Sequence, residues 1–247
     1  AAPKSSTLSR KLAPVLGALA MIGPFSIDTI FPAFPQIGSQ FGADKLAMQQ
    51  TISVYLLAYA LMSVVHGPLS DALGRRRVIL AGLAVFGIAS IGCALAGSLP
   101  MLLGFRVLQG LSAGVGLIVG RAVIRDVLHG DDAQRLMSQV SMIFGVAPAV
   151  APIIGAWLLG RARWPAIFWF LACFALAMIA AVLWRLPETH APAARQPLRL
   201  APMLGGYAAM LRDARFVRLA LAGSFNFAAL FLYIASAPAL VVEHLKL

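Results

Sequence analysis

Seven apolar stretches of about 20 residues, each long enough to cross a hydrocarbon core, divide this chain of 247 residues. They lie at about 12–34, 47–69, 77–98, 100–122, 137–160, 164–184 and 216–241. A backbone in lipid has no water to bond with, so such stretches must close their own hydrogen bonds as helices. The expected fold class is therefore an all-α integral membrane protein. Composition agrees, with 60% apolar residues, 12% charged residues and a mean hydropathy of +0.86. The net charge of +11 reads as a set of topology signals rather than a nucleic-acid footprint.

The basic residues set an orientation. With the N-terminus inside, fifteen of the twenty Lys and Arg residues fall on the cytoplasmic side, including Arg75, Arg76, Arg77, Arg121 and Arg125. Lys45, Arg161, Arg163 and Lys246 fall outside, and Arg106 alone lies within a span. This predicts a cytoplasmic N-terminus. Trp157, Trp164 and Trp184 near span ends read as interfacial anchors. Cys93 and Cys173 read as small apolar fillers, and the four histidines lack ligand spacing, so no metal site is expected.

Four segments carry more than bulk hydropathy. Residues 67–77 read G-P-L-S-D-A-L-G-R-R-R, a short charged joint between spans two and three that holds Gly67, Asp71, Gly74 and Arg75. Span four carries L-L-G-F-R-V-L-Q-G-L-S-A-G at 102–114, with Gln109 one turn after Arg106. An intramembrane guanidinium must face the bundle interior, either as a functional group with a named partner or as a structural pin held by backbone carbonyls. Span five carries G-V-A-P-A-V-A-P-I-I-G at 145–155. Pro148 and Pro152, one turn apart, free the carbonyls of Phe144 and Pro148, while Gly145, Ala149 and Gly155 would admit a neighbouring helix. Generic small-residue packing is the alternative. Span one carries P-F-S-I-D-T-I-F-P-A-F-P at 24–35, which sets Asp28 among apolar neighbours between prolines.

The 67–77 joint resembles the loop between helices 2 and 3 of the major facilitator superfamily. The 145–155 segment resembles that superfamily's antiporter motif in an Ala-Pro-rich form, with alanine at 147 and 151 where the general pattern prefers glycine. With span one added, the set resembles the Bcr/CflA drug-resistance branch, the bicyclomycin and chloramphenicol type of drug:proton antiporter, along essentially the whole chain. The resemblance implies two six-helix halves joined by a cytoplasmic linker, with the substrate between them. On that reading residues 1–11 are a cytoplasmic tail and 12–184 the N-terminal six-helix bundle. Residues 185–215, with Pro187, Pro192, Pro197 and Pro202, are the linker, and 216–247 begin a second half truncated after its first helix.

The implied activity is multidrug efflux and antibiotic resistance across the cell inner membrane by alternating access. A proton gradient would be the energy source, with no cofactor, no enzymatic step, no nucleic acid and a monomer at full length. Gly67, Asp71, Gly74 and Arg75 would form a cytoplasmic gate that locks the outward-facing state, with Asp126 as ion-pair partner of Arg75. The alternative gives the arginines a topological role only.

Counting residues from the outer ends of spans one and four puts Asp28 and Arg106 both about 9 Å deep. An acid and a base at one depth can neutralise each other, so the pair is the expected proton-coupling site. Gln109, Tyr55, Tyr59, Asn226 and Tyr233 are candidates for the substrate cavity. A carrier for a specific metabolite, a sugar or an amino acid, is the alternative, but its site would want more converging polar side chains than these spans offer. A seven-helix receptor or light-driven pump is disfavoured by the inside N-terminus and by a seventh span without a Schiff-base lysine.

Overall fold

A computed structural model describes residues 3–195, 197–198 and 200–239. The chain divides into two units, Ala1–Leu198 and Arg199–Leu247. Among the described residues there is no strand, and six helical segments are long and apolar enough to cross a membrane, all of them in the first unit. They are Leu12–Phe41, Lys45–Leu73, Arg75–Ala94, Leu99–Val127, Gly130–Leu159 and Pro165–Arg185, here called spans one to six.

Local chemistry sets several of their ends. Asp44 caps span two, its Oδ1 accepting the Ala47 N–H at 2.7 Å, and Ser98 caps span four through Met101 at 3.4 Å. Span one is not one helix. It breaks after Ala20 and again between Asp28 and Phe34, where Pro32 and Pro35 cannot donate the bonds that would continue the ladder. Span four breaks at Gly114, against which the His66 ring packs. The joint between spans two and three, expected to be a loop of several residues, is a single residue: span two ends at Leu73, span three starts at Arg75, and only Gly74 lies between.

Spans one and four are largely enclosed, whereas spans two and five are largely open. Span three packs on spans four and six, and span five on span one. One face of span five, Ala147, Ala151 and Gly155, is fully covered. An added Cβ at Gly155 would strike the carbonyl oxygen of Thr29, so glycine is what lets span five meet the broken part of span one. That corrects the seam expected at 145 and 149. Gly145 and Ala149 are exposed, and a Cβ at 145 would meet open space, because the i, i+4 row that faces span one starts at Ala147. Pro148 and Pro152 lie inside a helix that runs on to Leu159.

Trp164 is not an interfacial anchor. It is buried, with Nε1 donating to Gln40 Oε1 at 2.7 Å and its ring edge-on to Phe168. Trp157 and Trp184 are exposed, each under an arginine, Arg161 and Arg185.

The second unit contains helices Leu200–Arg212 and Ala214–Ala239, hinged at Asp213, whose Oδ1 accepts the Arg215 N–H at 2.8 Å. The seventh expected span falls on the second of these helices. The first unit runs to Leu198, past the start of the expected linker at 185, because Glu188 and Thr189, beyond the sixth span, bond to Arg75 and Asp126 of the bundle.

Candidate functional site

Arg106 is wholly buried, and its charge is met by dipoles. Nε donates to the Thr51 carbonyl at 3.1 Å. Nη1 donates to the Ser26 carbonyl, to Ser26 Oγ and to Gln109 Oε1, each at 2.9 Å. The Tyr55 ring lies beneath the guanidinium, 4.4 Å from centroid to Cζ. The break in span one supplies part of this cage. Helix Ile22–Asp28 ends two residues after Ser26, so the Ser26 carbonyl belongs to the last turn, whose carbonyls lack intrahelical partners and carry the negative end of the helix dipole. Gln109 is anchored in turn, its Nε2 donating to Ser90 Oγ at 2.8 Å. Of the two readings open to an intramembrane arginine, the pin held by carbonyls describes this one.

The expected Asp28–Arg106 ion pair is not formed. Asp28 is buried, but among the described residues its carboxylate has neither a hydrogen bond nor an ion pair, while Nη2 of Arg106 also lacks a partner. Equal depth is not the same face: Ser26 and Asp28 lie two residues apart on helix Ile22–Asp28, about 200° around its axis, and Ser26 is the one directed at the guanidinium.

Gln109 and Tyr55 are corrected as cavity residues, since both are fully buried in service of Arg106. Tyr59, half-buried, stacks on Tyr55 with centroids 6.3 Å apart. Asn226 is exposed on the second unit, and the side chain of Tyr233 lies outside the described residues.

A second cluster surrounds Gly74. Arg75 is buried and bonds Asp71, Ser70 Oγ at 2.6 Å and, through Nε, Asp126 Oδ2 at 3.0 Å. Asp126 thus lies where the sequence predicts a partner for Arg75. The backbone N–H of Arg75 donates to Glu188 Oε1 at 2.9 Å. Gly74, at φ +102°, has no side chain with which to cap span three, so a carboxylate from beyond span six does so. Thr189 Oγ1 donates to Asp126 Oδ2 at 3.1 Å, and Arg195 Nη2 lies 3.9 Å from Glu188 Oε2. Arg76 reaches the Leu183 carbonyl at 2.7 Å. Gly67 stands apart from the cluster, in the interior of span two with open space around its Cα; only its carbonyl takes part, accepting from Ser70 Oγ.

Sequence reasoning misses Ser26, Thr51 and Ser90, because a lone Ser or Thr in an apolar run has no distinctive spacing. It misses Glu188 and Thr189 because they lie in a stretch with the composition of a linker.

Among the described residues no cluster of His, Cys, Asp and Glu could hold a metal ion.

The family model for the Major Facilitator Superfamily matches residues 16–247. The chain is 33% identical over 229 residues to an uncharacterized MFS-type transporter, YdgK, of Bacillus subtilis, covering 92% of this chain and 57% of that protein. It is 28% identical over 221 residues to a bicyclomycin resistance protein homolog of Haemophilus influenzae, covering 90% of this chain and 56% of the relative. To the multidrug resistance protein MdtL of Shewanella oneidensis it is 34% identical over 176 residues, covering 71% and 44%. The chain thus spans about half the length of the curated relatives it matches. Among solved structures, the human organic anion transporter MFSD10 superposes with a TM-score of 0.71 at 18% identity, over 97% of this chain and 66% of that one, which is a likeness of fold.

Proposed function

The chain belongs to the major facilitator superfamily, and from that premise we propose that it forms the first six-helix half, and the first helix of the second, of a proton-coupled exporter of small amphipathic drugs or toxic metabolites. It sits in the inner membrane with its N-terminus in the cytoplasm, and exports by alternating access. Two relatives named for drug resistance support the substrate class. The support for proton coupling is Asp28, a buried carboxyl left without a partner two residues from the serine that holds Arg106. An ionisable group at membrane depth, not spent on a structural bond, is free to gain and lose a proton as its surroundings change.

The broken helix makes that change mechanical. A rotation of helix Ile22–Asp28 about its axis exchanges Ser26 for Asp28 at Arg106, so that the cation faces dipoles in one state and a carboxylate in the other. A proton taken from outside neutralises Asp28 and favours the first. A drug entering from the cytoplasm favours the second, so drug and proton compete without touching. The Asp71, Arg75 and Asp126 cluster holds the cytoplasmic ends of spans two, three and four together while the cavity is open outward.

The test is binding of a fluorescent amphipathic dye to the whole carrier as pH falls. Binding should weaken on acidification in the wild type, and in Asp28→Asn it should persist without that pH dependence. Wild-type pH dependence and dye-evoked proton release in Asp28→Asn would remove Asp28 from the coupling.

A further inference from the structure

On the Gly74 end of the first unit, spans two, three and four leave an open groove of about 430 Å³. Its wall is apolar, including Met62, Leu69, Ala81, Val85, Leu108 and Leu111, and Arg77 is its one charged member. The stripe along span two from Met62 to Leu73 makes the groove about 16 Å long at the helical rise per residue. Of the polar members, Ser112 is satisfied within its own helix by the Leu108 and Gln109 carbonyls, and His66 is buried against Gly114, with its Nδ1 unpartnered among the described residues. No residue of the Arg106 or Asp126 cluster lines the groove, so its occupant is independent of the transport reading.

The three consecutive arginines have separate fates. Arg75 is consumed by Asp71, Ser70 and Asp126, and Arg76 reaches the Leu183 carbonyl. Arg77 is exposed, and among the described residues it has no hydrogen bond or ion pair. A free cation at the end of a long apolar trench is complementary to an amphiphile with one anionic head and a hydrocarbon tail. We propose that this groove binds one anionic phospholipid, its phosphate on Arg77 and one acyl chain laid between spans two, three and four. A basic side chain at a membrane surface attracts anionic lipid, and the groove turns that general attraction into a place. A zwitterionic lipid offers the same phosphate but carries its own ammonium, which competes with Arg77 for it. A soluble anion gains nothing from the trench.

The test is native mass spectrometry of the protein released from membranes that contain phosphatidylglycerol and phosphatidylethanolamine with identical acyl chains. The wild type should retain one phosphatidylglycerol with about a fivefold preference, the scale of one such charge. Arg77→Gln should abolish the preference while leaving retention of phosphatidylethanolamine. Ala81→Phe, which fills the groove from an exposed position, should remove the retained lipid of either kind. Arg125→Gln, an exposed arginine that does not line the groove, should change nothing. An unaltered preference in Arg77→Gln, or wild-type retention in Ala81→Phe, overturns the proposal. So does a wild type that retains no lipid, as would happen were another part of a longer protein seated in the groove.

Discussion

Two buried arginines in one bundle are neutralised in opposite ways. Arg106, enclosed between spans one, two and four, takes two helix carbonyls, a hydroxyl, an amide oxygen and a tyrosine face, with no carboxylate among the described residues. Arg75, at the junction of spans two and three, takes two carboxylates and a hydroxyl, and its backbone N–H takes a third carboxylate. The contrast follows from where water is. Asp71 is about half exposed and can be hydrated in any state the bundle adopts, so a carboxylate costs little there. Deep in the bundle, a second buried ion would carry its own desolvation cost, whereas the Ser26 carbonyl, at the end of a broken helix, is already desolvated and already unpaired. Dipoles therefore hold the inner arginine, and the nearby acid is left over.

Removing each arginine's partners should separate the two designs. The largest effect is expected from Arg106→Ala, which strands the Ser26 carbonyl and hydroxyl and one end of Gln109 in a fully buried site. At about 1 kcal/mol for each buried bond, the loss is about 3 kcal/mol, read as a large fall in thermal stability in detergent that added salt does not alter. A melting temperature equal to wild type would mean that the cage is no structural pin.

Asp126→Asn should do less. The amide keeps the shape and can still accept from Arg75 or Thr189, and Asp71 and Ser70 remain, so the expected cost is about 1 kcal/mol. Asp126 is partly exposed, and high salt should narrow the gap between mutant and wild type by weakening the wild type. A loss as large as that of Arg106→Ala, and insensitive to salt, would place the junction in the same dry regime as the core and erase the comparison.

The same division decides what can be read from sequence. The six spans of the first unit are legible because each is a predominantly apolar run of membrane-spanning length, and the Arg75–Asp126 contact because an acid closes span four on the side where the arginine triplet opens span three. Opposite charges that share a membrane face leave a trace in sequence. Carbonyls leave none: every residue has one, and which of them is free depends on where a helix stops. The break after Asp28 can be suspected from Pro32 and Pro35, but not which side of helix Ile22–Asp28 faces Arg106, the side that carries Ser26 and not Asp28. Glu188 is hidden for another reason. It acts on Arg75 through a backbone N–H across more than a hundred residues, a contact with no periodicity at either end.

The two glycines of the joint sharpen the comparison at its finest scale, since they lie seven residues apart in one motif and differ in everything structural. Gly74 sits at φ +102° and ψ +146°, close to a region that only glycine enters at low cost, and a Cβ there would run into the Glu188 carboxylate and the Arg195 guanidinium. Gly74→Ala should cost about 1 to 3 kcal/mol and loosen the carboxylate cap on span three. Gly67 sits in the interior of a helix, and a Cβ there would meet no atom within 4 Å. Alanine at that position restricts the unfolded chain and fits the helix, so Gly67→Ala should raise stability by about 0.5 to 1 kcal/mol. Melting of the two single mutants and their double checks both. Their effects should add, because a Cβ at 67 touches nothing in the Gly74 cluster and leaves the Gly67 carbonyl on Ser70 in place. A destabilised Gly67→Ala would mean that Gly67 meets another surface in the assembled carrier, and the open face of span two would then be where to look for it.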